Sequence, residues 1–320
     1  MCVEPARHSD LAMPALEGYA AFRDALLGAG LLVATGVRGL YGRSGLFERV
    51  CEGFDALATR ETRRVAQGFD YEVLRFPPLI HRGDYAKIDH IRNFPDLMGS
   101  VHTFLGSEGE HMAMLEKFEA GEDWTRSLRP AEVMLTPAIC YPLYPTAAGT
   151  LPEGGRRVDL LGFAFRHEPS DDPARMQVFR QREFVRLGTP GDAIAHRDEW
   201  LARGEAMLAR VGLEPRRVVA NDPFFGRGGK LMKATQREQE LKYELVVPIV
   251  PGEKSTAVAS SNYHVDHFGL AFGIRSAGGG VAHSACIGFG LERIALALFA
   301  THGFDPKVWP REARDVLALD

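Results

Sequence analysis

From Val158 onward, strand-like segments follow one another with too few helices to separate them. Val158–Arg166, Val178–Leu187, Leu241–Val250, Thr256–Ser261 and His267–Ile274 all read as strands. One helix interrupts the run, so βαβ winding, which needs a crossover helix for every parallel pair, is disfavoured. The expected architecture is a mostly antiparallel sheet with helices packed on it, an α+β fold. Thr189 and Pro190 start the internal helix as N-cap and first helical residue, and Asp192 suits the positive first turn. Ile194, Leu201, Leu208 and Val211 supply its apolar stripe. A last helix follows Gly288 and Gly290.

The upstream part is more helical. Leu16–Leu32 is rich in Ala and Leu, and Leu46–Arg64 carries Leu46, Val50, Phe54 and Leu57 at helical spacing. Tyr71–Ile80 reads as a short strand ending at a proline pair. Phe94–Phe104 and Glu108–Phe118 read as helices, and Pro142–Gly155 as a turn-rich connector. The expected division is a helical extension over residues 1–69 packed on a larger domain over residues 70–320.

Composition removes several function classes. Lys and Arg number 38 against 42 Asp and Glu, a net charge of −4. That balance does not suit a protein whose main task is to grip a long nucleic acid, although a small basic pocket for a nucleotide remains open. No apolar run approaches the roughly 20 residues that cross a bilayer, and the polar start MCVEPARHSD lacks a signal-peptide core. Cys2, Cys51, Cys140 and Cys286 are too scattered for a disulfide framework. The expectation is a cytoplasmic protein with no membrane partner.

Chemistry concentrates in Phe163–Leu187. One strand delivers Arg166 and Glu168, the turn-rich segment Pro169–Arg175 follows, and a second strand returns with Arg180, Arg182, Glu183, Phe184 and Arg186. An arginine neutralises a phosphate, a carboxylate accepts from an adenine amine, and a ring stacks on a base, so this set can hold a nucleotide. It is equally readable as a solvated hairpin laced with ion pairs. In GFGLERIALALF (Gly288–Phe299), two glycines precede a helix whose first turn carries Glu292 and Arg293, which suits an anion or a plain tight turn. Cys140, Glu183 and Cys286 show no local metal spacing, and by themselves read as two buried thiols and a surface carboxylate. CxxC, HExxH, P-loop and GxSxG patterns are absent.

Together these pieces resemble the core of a class II aminoacyl-tRNA synthetase. Arg166-His167-Glu168, a loop, then Arg182-Glu183-Phe184 resembles the second signature motif, GFGLERI the third, and FPPLI (Phe76–Ile80) the first, which forms the dimer region. Ser260–Arg275 resembles the segment before motif three in seryl-tRNA synthetases. The methanogen-type seryl enzymes hold zinc on two cysteines and a glutamate, and Cys140, Glu183 and Cys286 fall at those places. Those enzymes carry a large N-terminal tRNA-binding domain, whereas fewer than 70 residues precede this core. A core of this kind resembles the amino acid:[carrier protein] ligases.

The resemblance implies activation of a small amino acid, glycine or alanine, with ATP and transfer to the phosphopantetheine thiol of a carrier protein. The alternatives are a minimal seryl-tRNA-synthetase-like enzyme with tRNA or another acceptor, and a non-catalytic synthetase paralogue. It implies that Arg166 holds the α-phosphate and Arg293 the γ-phosphate, that Glu168 takes the adenine amine, and that Phe184 stacks on the base. Arg175 and Met176 would close over the nucleotide, Lys242 would reach it, and Ala257, Val258, Ala259 and Ser260 would line it or its Mg²⁺. Zinc, one per chain, would sit on Cys140, Glu183 and Cys286, with Glu183 and Asn262 facing the amino acid. A homodimer is implied, and tRNA is the disfavoured partner. For carrier docking the candidates are the loop Asn221–Lys233 and the helix Pro190–Val211, with Arg203, Arg210, Arg216, Arg217, Arg227 and Lys230 as a basic rim.

Overall fold

A computed structural model of the chain describes residues 18–65, 70–88, 90–220, 240–250 and 252–319. Loop Asn221–Lys233, with Arg227 and Lys230, lies outside the described residues. The described residues open with helix Tyr19–Gly28, the hairpin β1 (Leu32–Ala34) and β2 (Tyr41–Arg43), and helix Gly45–Val65. Next come β3 (Glu72–Leu74), β4 (Leu79–His81), β5 (Ser100–Thr103), helix Glu108–Glu119, β6 (Arg129–Leu135) and β7 (Gly149–Thr150). Then β8 (Arg156–Phe165), β9 (Val178–Gly188), helix Pro190–Arg210, β10 (Arg216–Val219), β11 (Lys242–Val247) and β12 (Thr256–Val265) follow. Helix His267–Phe272, β13 (Ile274–Arg275), β14 (His283–Gly290) and helices Leu291–His302 and Arg311–Leu317 complete the described chain.

The main sheet has seven strands in the order β10-β11-β12-β14-β9-β8-β3. Every pair is antiparallel except β3 with β8. The expected mostly antiparallel α+β sheet is therefore observed. On one face, helices Gly45–Val65, Pro190–Arg210 and Leu291–His302 bury Phe54, Trp200, Leu208 and Phe299 against Phe184, Ile287 and Phe289. Phe22, Leu26, Phe47 and Val50 from the N-terminal segment belong to that same core. The opposite face packs Tyr144, Phe268 and Phe272 against Val185, Leu187 and Cys286.

The start of helix Pro190–Arg210 follows its sequence signals. Thr189 and Asp192 form a reciprocal capping box, Pro190 occupies the first turn, and Arg186 reaches Asp192 at 2.9 Å. Leu201, Leu208 and Val211 are buried as expected, but Ile194 is 38% exposed, and Ala193, His196 and Trp200 take the inner face instead.

Three expected elements differ. Tyr71–Ile80, expected as one strand, divides into β3 and β4, which join different sheets. His267–Phe272 is a helix rather than a strand, because Phe268 and Phe272 stand one turn apart on one buried face. Gly273, at φ 67, ends it in the left-handed conformation that glycine accepts readily. Within Phe94–Phe104, expected to be helical, Pro95–Leu97 forms one 3₁₀ turn and Ser100–Thr103 pairs with β6.

Charge also sits inside the helix-facing core. Buried Arg182 contacts Asp159 on β8 and Asp55 on helix Gly45–Val65, the latter at 3.3 Å. Arg180 donates to Glu292 at 2.8 Å and to Glu48 at 2.5 Å. Removing one member of such a pair strands the other in a low-dielectric site. Asp159→Ala is expected to cost about 3–5 kcal/mol, measured by equilibrium denaturant unfolding; a loss below about 1 kcal/mol, the range of exposed pairs, contradicts that role.

Candidate functional site

Register assigns the predicted residues to faces, because side chains alternate along a strand. Glu183 lies across from Gly288, Asn262 across from Cys286 and Lys242, and Ser260 across from Gly288 and Glu244. Phe179, Gln181 and Glu183 follow one another at period two on β9. These residues share the face that does not carry the long helices. Gly288 makes room there, since a Cβ at that position would stand 3.2–3.3 Å from the Glu183 side chain and press on it. The turn that carries Cys140 is tied to this face by Ile139 N–H donating to Gln181 Oε1 at 3.3 Å.

At one end of the face, Cys140, Glu183 and Cys286 meet. The Cys140 thiol is hydrogen-bonded to both Cys286 and Glu183, and all three side chains are buried. The hydrogen bond from Cys140, together with the neighbouring His264, pulls the Cys286 thiol well below its ordinary range. The same bond, joined by burial, pushes Cys140 well up, so the pair favours one thiol and one thiolate. Burial, reinforced by the Cys286 charge, raises the Glu183 carboxyl to about 8, and its Oε2 is buried without a hydrogen-bond partner. Asn262 Nδ2 and His264 Nε2 each lie 3.6 Å from Cys286 Sγ, while His264 Nδ1 reaches Ser284 Oγ at 3.0 Å. His264 had no place in the sequence reading, although it follows Asn262 at period two. Among the described residues, no group of three or more His, Cys, Asp or Glu side chains stands arranged to hold a metal ion. The expected trio is thus assembled as a hydrogen-bonded cluster rather than as a coordination cage.

At the other end lies the loop between β8 and β9. Arg166 N–H donates to Gln177 O at 2.9 Å, which closes the loop, and Glu168 reaches Arg175 at 3.1 Å across it. The Arg166 guanidinium donates to Pro137 O at 3.0 Å and stands 5.4 Å from the Phe179 ring centre. Arg293 rises from the first turn of helix Leu291–His302, donating to Ala174 O at 2.7 Å and Ala257 O at 2.9 Å. Burial, with the like charges of Arg166 and Arg175, lowers the Arg293 pKa. Three guanidiniums converging beside Glu168 and Asp172 leave surplus positive charge, which suits a polyphosphate. Lys242, buried on β11, lies 3.3 Å from Glu244.

Four expected nucleotide contacts do not face this site. Phe184 has the opposite parity to Glu183 and is fully buried, stacked on Trp200 at 4.0 Å on the helix side. Phe179 has the required parity and is the aromatic residue beside Arg166; counting residues by twos from Glu183 identifies it. The side chains of Met176, Val258 and Ala259 are buried in the helix-side core. Ala257 meets Arg293 through its carbonyl, and the Ser260 hydroxyl donates to Asn262 at 3.3 Å.

The expected basic rim is largely neutralised: Arg203 and Arg210 share Glu61, and Arg217 pairs with Glu205. Helix Pro190–Arg210 covers the back of the sheet. A cavity of about 250 Å³ on that side, lined by Glu61, Arg203, Met207 and Arg210, contains none of the converging site residues.

Comparison with known proteins bears on this arrangement. No protein-family model matches the chain. Amino acid–[acyl-carrier-protein] ligase 1 of Bradyrhizobium diazoefficiens is 43% identical over 291 residues, covering 90% of this chain and 88% of that protein. Ligase 2 of the same organism is 44% identical over 286 residues, covering 89% and 84%. The chain belongs to the amino acid–[acyl-carrier-protein] ligase family. It is a ligase. In fold, the protein superposes on Methanopyrus kandleri seryl-tRNA synthetase, solved with an Aquifex aeolicus tRNA, with a TM-score of 0.78 at 23% identity. That match covers 99% of this chain and 64% of the synthetase, and it shows the class II synthetase architecture alone.

The ligase's Glu183 yields a pH prediction for the metal-free protein. A carboxyl raised from 4.5 to about 8 holds a proton in the folded state that the unfolded chain has released. Its contribution is therefore complete below about pH 4.5 and is lost as pH rises through 8. Metal-free protein is expected to lose unfolding free energy between pH 5 and pH 9, and Glu183→Gln to flatten that slope. Identical slopes in both proteins contradict the assignment.

Proposed function

We propose that the protein activates an amino acid with ATP and transfers it to the phosphopantetheine thiol of a carrier protein. The observation that carries this reading is one sheet face with an arginine-rich phosphate site at one end and a buried Cys-Glu-Cys cluster at the other. The family relationship supports the acceptor, since the Bradyrhizobium relatives are named for acyl-carrier protein. Glycine or alanine is the amino acid we assign.

In the first step the amino acid carboxylate, already ionised at neutral pH, attacks the α-phosphorus of ATP. A mixed anhydride forms and pyrophosphate leaves. The protein's task is alignment and charge neutralisation rather than proton removal. Arg166 meets the α-phosphate, Arg293 and Arg175 the outer phosphates, and Glu168 the adenine amine. Phe179 replaces Phe184 as the ring under the base. Lys242 reaches the nucleotide or the amino acid, and Glu244 is the carboxylate that β11 offers to the Mg²⁺ accompanying ATP. In the second step the pantetheine sulfur attacks the adenylate carbonyl, a thioester forms and AMP leaves. A thiol with a pKa of about 8.5 supplies enough thiolate without a dedicated base.

Cys140, Glu183 and Cys286 are not arranged as a coordination cage, yet they are donor types that zinc takes: Glu183 Oε2 is buried without a partner and the Cys286 pKa is lowered. Held by Cys140, Glu183 and Cys286, zinc would supply a Lewis-acid site for a neutral amine, which would favour amino acids over simple acids. Asn262, 3.6 Å from Cys286, orients the same end of the substrate. The reading includes a homodimer built around Phe76–Ile80, supported by the neighbouring β3, a sheet edge that leaves Val73 exposed. A reducing cytoplasm suits the free cysteines Cys51, Cys140 and Cys286.

Side-by-side assays with one labelled amino acid, a phosphopantetheinylated carrier protein and bulk tRNA test the acceptor. Label is expected on the carrier as a hydroxylamine-labile thioester; label on tRNA in excess of carrier contradicts the proposal. Phe179→Ala is expected to raise the KM for ATP about five- to 150-fold, by the worth of a base–aromatic stack at about 1–3 kcal/mol. Phe184→Ala is expected to cost about 3–5 kcal/mol of stability instead. Reversal of those two effects in ATP kinetics and unfolding would restore Phe184 to the site. Cys286→Ala is expected to lose both bound zinc and amino-acid-dependent pyrophosphate exchange; full exchange without zinc removes the metal from the mechanism.

A further inference from the structure

We infer that the N-terminal β1–β2 hairpin is a positioning element for the nucleotide loop, and that Asp171, Arg38 and Gly39 are its contact residues. This rests on the ATP reading of the Glu168–Arg175 loop. The hairpin tip grips that loop at several separate points. Asp171, at the loop's outer bend, is held by Arg38 Nη2 at 3.0 Å and by Arg23 Nη1, from helix Tyr19–Gly28, at 2.7 Å. At the loop's return, Gln177 N–H donates to Gly39 O at 2.8 Å and Gln177 Nε2 donates to Arg38 O at 2.7 Å. Gly39 is buried, with φ 74, and a Cβ there would stand 3.3 Å from Arg175 O and 3.4 Å from Glu168 O.

Those contacts fall on the residues that matter for ATP. Glu168 and Arg175 face each other across the loop, and the backbone of each passes against Gly39. Gln177 carries the carbonyl that receives Arg166 N–H. A loop free to open would separate Glu168 from Arg175 and lose alignment without unfolding anything. The hairpin therefore restrains three proposed nucleotide ligands through their main chain, while none of its own side chains is needed at the substrate. The apolar part of the N-terminal segment anchors the device: Leu31, Leu32, Phe47 and Val50 are buried in the sheet's helix-side core. Exposed ion pairs are individually weak, so the effect expected from Asp171 is modest, and that from Gly39 larger.

The test is ATP–pyrophosphate exchange by the full chain, with KM for ATP and for the amino acid determined separately. Asp171→Ala is expected to raise the KM for ATP about two- to tenfold with the amino acid KM and kcat unchanged, and Asp171→Glu to recover most of the loss. Gly39→Ala is expected to raise the KM for ATP further. Unaltered ATP kinetics in both Asp171→Ala and Gly39→Ala overturn the inference, as do equal rises in both KM values, which mark general loosening. Wild-type protein that shows no exchange with any amino acid overturns the ATP reading instead.

Discussion

The alternation of side chains along β9 is the constraint on which the rest of the molecule depends. One parity of that strand carries Phe179, Gln181 and Glu183; the other carries Arg180, Arg182 and Phe184. The first set faces the loop, the Cys140 turn and Asn262. The second is fastened to helices Gly45–Val65 and Leu291–His302 by buried ion pairs, and to helix Pro190–Arg210 by the stacking of Phe184 on Trp200. A one-residue slip in register would exchange the two sets and put guanidiniums among the thiols. Buried pairs of this kind are costly to desolvate, so their contribution lies less in net stability than in the penalty they impose on misregister.

The two ends of the active face are electrostatically opposite. Surplus guanidinium charge gathers at the loop, and the acidic groups of Cys286 and Glu183 gather at the Cys140 cluster. The proposed aminoacyl-adenylate would lie along that polarity, with its phosphate toward Arg166 and its amine toward Cys140 and Cys286. The N-terminal segment contributes to both sides of the sheet, through its apolar residues in the helix-side core and through Gly39 at the loop. Residues 18–65 thus share the core of the sheet rather than standing apart from it.

Much of this is legible in the chain itself. The excess of strands over helices dictates an antiparallel sheet, and Thr189, Pro190 and Asp192 mark their helix start within a residue. Arg293 lies more than a hundred residues from Arg166 and Glu168, so their convergence is readable only through family resemblance. Phe184 misleads because it sits next to Glu183, and adjacency in a strand means opposite faces. The strand β14 is masked by Gly288 and Gly290, which weaken strand propensity, while Gly288 leaves room for Glu183 to lie across it. His267–Phe272 is short and aromatic-rich, and a run of that length fits both periods. Met176, Val258 and Ala259 lie beside site residues in sequence, but their side chains complete the core.

The most direct test is a crystal structure of the protein with a non-hydrolysable aminoacyl-adenylate analogue. The account predicts the base over Phe179, the phosphate surrogate at Arg166 and the α-amine beside Cys140, Glu183 and Cys286. An analogue bound on the helix side of the sheet, in the cavity of Glu61, Arg203 and Arg210, or with its amine remote from Cys286, would contradict it.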